Sequence, residues 1–169
     1  MPGIADPQFS KDVLAGLSAP IPAVPARWLY DRRGSELFEE ITRLPAYYPT
    51  QTETALLKQI MPELARAIPA GMAVVEFGAG SATKTPILLE AIPPAAYVPV
   101  DISADYLEQS AAELRRRFPA LSIQPVAADF ARAFSLPVGM QDFPKLGFFP
   151  GSTIGNFVPR TATDLLRSW

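Results

Sequence analysis

From residue 71 onward the chain alternates short apolar runs with segments of helical period, and each run ends on a glycine or a carboxylate. Residues 73–77 are apolar except for Glu76 and pass into Gly78-Ala79-Gly80-Ser81. Residues 97–100 end at Asp101, and residues 122–126 lead to Asp129-Phe130. Residues 146–149 run into Gly151-Ser152-Thr153-Ile154-Gly155-Asn156-Phe157. Runs this short and this apolar suit strands buried on both faces of a parallel sheet. The segments between them supply the crossovers. One helix passes through Ile87, Leu88 and Leu89, with Pro86 tolerated in its first turn. A second, capped by Ser103, keeps Leu107, Ala111, Leu114 and Phe118 on one side. Residues 131–143 are predicted to be a short helix and loop, and 161–169 the start of a last helix. The alternation predicts an α/β fold, with right-handed βαβ units around a partial Rossmann-like parallel sheet of about four strands.

The stretch before the sheet differs in kind. Proline accounts for 19 of 169 residues, more than twice the usual share of about 5%, and Pro20, Pro22 and Pro25 crowd together. Residues 1–27 are therefore expected to be an extended Pro/Ala-rich arm. Residues 28–70 read as a helical layer. Ser35 is the expected N-cap of a first helix bearing Leu37, Phe38 and Ile41 and stopped by Pro45. Thr50 and Glu53 have capping-box spacing for a second helix, which Pro62 should break or kink. Residues 71–169 then form the partial sheet domain, and the length has room for one ordinary domain.

Composition narrows the chemistry. The chain has neither His nor Cys, which removes Cys/His zinc sites, thiol nucleophiles and histidine-based triads. A formal net charge of -2 argues against a nucleic-acid partner. No apolar run approaches the roughly 18 residues that cross a bilayer, and no leader pattern opens the chain. A soluble, cytoplasmic protein with no membrane, nucleic-acid or metal partner is expected.

In open parallel sheets, ligands bind beyond the carboxyl ends of the strands. There this sequence places Gly78 and Gly80, then Asp101, then Asp129-Phe130, then Asn156. Taken singly, each also suits a tight turn or a helix cap. Together they suit a nucleoside: glycines that admit close approach, Asp101 for ribose hydroxyls, and Asp129 with Phe130 for an adenine. Thr83 stands where a dinucleotide fingerprint requires glycine. This favours S-adenosylmethionine over a nicotinamide cofactor, although an oxidoreductase stays open at this stage.

Longer motifs are more specific. They are Trp28-Leu29-Tyr30-Asp31-Arg32-Arg33-Gly34-Ser35-Glu36-Leu37-Phe38, Ile41-Thr42-Arg43-Leu44-Pro45, Tyr47-Tyr48-Pro49-Thr50, Glu76-Phe77-Gly78-Ala79-Gly80, Lys84-Thr85, Asp101-Ile102-Ser103 and the Gly151–Phe157 run (151–157). From about residue 27 to the last residue, the chain resembles the histidine Nα-methyltransferase family of ergothioneine biosynthesis. The customary third glycine of the first methyltransferase motif is replaced by Ala82. The resemblance implies a class I methyltransferase fold with strand order 3-2-1-4, half of the usual seven-stranded sheet. It implies S-adenosylmethionine as cofactor and trimethylation of the α-amine of L-histidine to hercynine; related members act on other amino acids. Gly78 and Lys84 would line the methionine side of the cofactor, with Gly80 in the same turn. Asp101 would hold the ribose, and Asp129 and Phe130 the adenine. Residues 28–70 would contact the substrate, with Asn156 and one of Tyr47 and Tyr48, Tyr48 being favoured. Members of the family are about twice as long. The expectation is an incomplete chain, inactive or non-catalytic by itself, in which residues 146–149 are left as an exposed apolar edge.

Overall fold

The computed structural model describes residues 6–168. Among the described residues five short strands form one parallel sheet: β1 (Ala73–Phe77), β2 (Ala96–Asp101), β3 (Ser122–Ile123), β4 (Val126–Ala127) and β5 (Lys145–Phe148). Its order is β3-β2-β1-β5, with β4 continuing the pairing along β2. This is the expected 3-2-1-4 order with the third strand in two pieces. Pro125 lies between β3 and β4; it has no N–H to give to a ladder, so the pairing stops and restarts around it. In register, Val75 faces Val98 on one side of β1 and Gly147 on the other.

Two apolar layers flank the sheet. On one face Val74 and Tyr97 pack with Met61, Leu88, Ala111 and Leu114. These come from α3 (Tyr48–Ala67), α4 (Thr85–Ala91) and α5 (Ala104–Arg117). On the other face Val75, Phe77, Val98 and Val100 pack with Met140, Phe130, Phe134 and Phe149. The predicted short helix within 131–143 does not form; this stretch is turns and irregular chain. Pro137, Gly139 and Pro144 deny it a continuous hydrogen-bonded run. Among the described residues β5 pairs only with β1, so its outer edge carries no strand.

The N-terminal region departs furthest from expectation. Residues 1–5 lie outside the described residues, but the extended arm predicted for 1–27 contains helix α1, Pro7–Leu17. Asp6 caps it by accepting the Gln8 N–H at 2.8 Å, and Pro7 occupies its first turn. Both are helix-start signals, outweighed in the sequence by the prolines that follow. A short 3₁₀ turn, Ala26–Leu29, leads into α2, Arg32–Thr42. Asp31, not Ser35, caps α2, accepting the Gly34 N–H at 2.7 Å. Helix α3 begins at Tyr48 without a side-chain cap, so the predicted Thr50/Glu53 capping box does not form. It also runs on through Pro62, where a break or kink was expected. Helix α6, Pro159–Ser168, follows a 3₁₀ turn at Thr153–Asn156; residue 169 lies outside the described residues.

Candidate functional site

The site begins where β1 ends. Gly78 has φ +68° and Gly80 φ +51°, in the left-handed region that costs a residue bearing a Cβ about 1–2 kcal/mol. The N–H groups of Gly78 and Ala79 donate to the Val100 carbonyl at 2.9 and 3.3 Å, which pins the turn to β2. Ala82 also adopts positive φ, +52°. The chain thus keeps a glycine-type conformation where the sequence lacks the customary third glycine.

Asp101, at the end of β2, is bound into this turn. Its Oδ2 accepts the Gly80 N–H and its Oδ1 the Ser103 N–H, both at 3.0 Å. Each carboxylate oxygen keeps a further lone pair. Over these strand ends opens a cavity of about 480 Å³. Gly78, Gly80, Lys84, Asp101, Asp129, Phe130, Tyr47 and Asn156 all line it. The pair left undecided in the sequence is separated by helix geometry. Tyr47, the residue before α3, faces the cavity and packs edge-on against Phe38 at 5.9 Å. Tyr48, the first residue of the helix, is 68% exposed and stands outside the lining.

Beneath the turn Glu76 is buried on the same face as Val74. Its Oε2 accepts from the Thr85 hydroxyl at 2.7 Å and the Tyr97 hydroxyl at 2.8 Å. Burial pushes its carboxyl up to about 7, against the pull of these two hydrogen bonds. Burial, with the adjoining Glu76, likewise holds the Tyr97 phenol well above its ordinary range.

The far wall of the cavity is built by the N-terminal region. Arg27 places Nη1 3.4 Å from Asp129 Oδ2, and its other nitrogen pairs with Asp12 of α1. Asp12 also accepts the Trp28 indole N–H at 3.0 Å, and Phe9 packs edge-on against Trp28. Phe130 packs edge-on against Phe77, Phe149 and Phe157, which fixes its ring at the border of the cavity. Asn156, at the end of the Thr153–Asn156 turn, donates through Nδ2 to the Tyr30 hydroxyl at 3.3 Å. Lys84 pairs with Glu53 of α3 at 2.5 Å. Ser81 donates to the Glu39 carboxylate. Sequence reasoning missed Arg27 and Tyr30 as site residues and misassigned Glu53. Tyr30 lies within the 28–38 motif, whereas Arg27 and Asp129 are too far apart in sequence for local spacing to connect them. Among the described residues no cluster of His, Cys, Asp or Glu is arranged to hold a metal ion, and no helix is long and apolar enough to cross a membrane.

The fold defines a class: an open parallel sheet of the methyltransferase kind, with a cavity over the strand ends, where such sheets bind ligands. The magnesium protoporphyrin IX methyltransferase of Synechocystis PCC 6803, solved with bound SAM, shares this fold. Its TM-score is 0.61 at 12% identity, covering 83% of this chain and 66% of that one. Sequence comparison is narrower. The family described as histidine-specific methyltransferase, SAM-dependent, matches residues 9–169. The histidine N-alpha-methyltransferase of Mycolicibacterium smegmatis is 38% identical over 164 residues, 94% of this chain and 50% of that protein. That of Mycobacterium tuberculosis is 38% identical over 163 residues, with the same coverage of 94% and 50%. The chain belongs to this family of histidine-specific, SAM-dependent methyltransferases. It spans about half the length of the curated relatives it matches.

Proposed function

We propose that the chain carries the S-adenosylmethionine site and part of the amino-acid site of an L-histidine Nα-methyltransferase, an enzyme that trimethylates the α-amine to hercynine in ergothioneine biosynthesis. The observation that carries this reading is the convergence on one cavity of Gly78, Gly80, Lys84, Asp101, Asp129, Phe130, Tyr47 and Asn156. Those residues suit the cofactor chemically. The two left-handed glycines leave the turn without side chains, Asp101 suits vicinal hydroxyls, and Lys84 suits a carboxylate. Phe130 offers an aromatic border for a base whose exocyclic amine Asp129 would accept. The family match and Thr83 at the dinucleotide position both weigh against the nicotinamide alternative.

Bound, S-adenosylmethionine would supply a methyl group already activated for transfer. The protein's task is then alignment and exclusion of water rather than acid–base chemistry of its own. Of Tyr47 and Tyr48, Tyr47 is the one proposed here for the substrate, because it lines the cavity and Tyr48 does not. Asn156 offers a carboxamide to the α-amine or α-carboxylate, and its Nδ2 is already oriented by Tyr30. These two would select the neutral amine and hold its nitrogen in line. The test is turnover by the natural protein with S-adenosylmethionine and histidine, read by mass spectrometry as mono-, di- and trimethylated products. Methylation of another amino acid but not of histidine would sink the substrate assignment while leaving the cofactor assignment standing.

A further inference from the structure

Glu53 lies near the start of α3, and its carboxylate is divided between two segments of the sheet domain. Oε2 accepts from Lys84 Nζ at 2.5 Å, and Oε1 accepts the Gly151 backbone N–H at 2.6 Å. Lys84 immediately precedes α4 and is 14% exposed in its side chain. Gly151 has φ +85°, and a Cβ there would stand 3.6 Å from Lys84 Nζ. Three pieces of the cavity therefore meet at one carboxylate. They are the helix whose preceding residue is Tyr47, the lysine beside the glycine turn, and the segment leading to Asn156. The Thr50/Glu53 spacing had a local explanation in the sequence, but the structure spends this side chain on tertiary contacts.

We infer that Glu53 is a positioning residue: it holds Lys84 where the carboxylate of an S-adenosyl cofactor is received, and it ties that point to the segment carrying Asn156. The inference rests on the cofactor reading above. An ammonium has three donors, so the one committed to Glu53 leaves two for a second carboxylate. An unanchored lysine on its four-carbon stem would have to be ordered when the ligand binds. An anchored one has already lost that freedom, which is the advantage of a preorganised site. Glu53 does not itself line the cavity, so it acts through Lys84 rather than on the ligand.

The experiment is calorimetric titration of the protein with two nucleosides. S-adenosylhomocysteine carries the amino-acid carboxylate, and 5′-methylthioadenosine lacks it. Glu53→Gln keeps an oxygen for the Gly151 N–H but removes the anion from Lys84. It should weaken S-adenosylhomocysteine roughly tenfold, equivalent to about 1.4 kcal/mol, and leave methylthioadenosine unchanged. Lys84→Met should produce the same selective loss, and adding Glu53→Gln to it should cost nothing more. Equal losses for both nucleosides would make Glu53 a general structural residue and overturn the inference. Unchanged or tighter S-adenosylhomocysteine binding would also overturn it, showing that Glu53 merely neutralises Lys84 or does nothing to it. If circular dichroism shows Glu53→Gln to be unfolded, Glu53→Asp replaces it, with a smaller but still selective loss expected and an unselective one overturning the idea. A wild-type protein that binds neither nucleoside would refute the cofactor reading itself and the inference with it.

Discussion

Replacing Glu76 by Gln should stabilise the protein, and more so as the pH rises. Glu76 is 2% exposed and is the next-to-last residue of β1, beneath the glycine turn. Burial raises its carboxyl from an ordinary 4.5 to about 7. Between those values the folded protein keeps a proton that the unfolded chain has released. The stability this group contributes is thus complete below about 4.5 and is lost as pH rises through 7. At about 1.4 kcal/mol per pH unit, the whole loss is roughly 3 kcal/mol. Glutamine cannot ionise, yet its carbonyl can accept from Thr85 and Tyr97. Comparing wild type with Glu76→Gln cancels other titrating groups. From pH 5 to pH 8 the balance should move toward the variant by roughly 2–3 kcal/mol. For a domain of this size that is a relative gain in Tm of roughly 5–10 °C. Thermal unfolding followed by circular dichroism across this range reads it directly. A Tm difference that stays constant with pH would refute the reasoning, because it would mean that burial does not hold the proton on Glu76.

Three other predictions concern separate parts of the molecule. Asn156→Ala in the natural protein should raise KM for the amino acid or lower kcat while leaving cofactor affinity nearly intact; loss of cofactor binding with unchanged substrate kinetics would reverse the assignment. Asp12→Ala removes the acceptor shared by Arg27 and Trp28, so α1 should detach more often and chymotryptic cleavage after Phe9, which packs on Trp28, should accelerate; an unchanged cleavage rate would show that α1 is held elsewhere. The outer edge of β5 is unpaired among the described residues and its strand carries a single charge, Lys145. The 169-residue polypeptide should therefore self-associate with rising concentration, and a monodisperse monomer by light scattering at every concentration would contradict this.

Most of the sheet can be read from the sequence because buried parallel strands carry so little polar interruption. β1 and β2 are apolar for most of their length; β1 runs directly into Gly78 and β2 ends at Asp101. The strand ends are legible for the same reason, since topology alone brings Gly78, Asp101 and Asp129 to one cavity. What escapes is decided by single residues or by distant contacts. Asp6 and Pro7 start a helix in a segment whose later prolines suggest extension, and Pro125 divides a strand that otherwise looks continuous. Tyr47 and Tyr48 are chemically identical, and only the point where α3 begins turns one toward the cavity. Arg27 meets Asp129 across most of the chain, which no local pattern announces. Glu53 illustrates the hazard of a short motif: its spacing suits a cap, but the half-buried Lys84 and the Gly151 N–H offered it stronger partners.

Asp101 locks the glycine turn by accepting the Gly80 N–H, and the central proposal is that the same carboxylate receives the ribose. Calorimetric titration of wild type and Asp101→Ala with S-adenosylmethionine measures that claim. The variant loses a charged acceptor worth roughly 1.5–3 kcal/mol, so its affinity should fall about 10- to 100-fold. Equal affinity in the two proteins would contradict the placement of the cofactor over these strand ends.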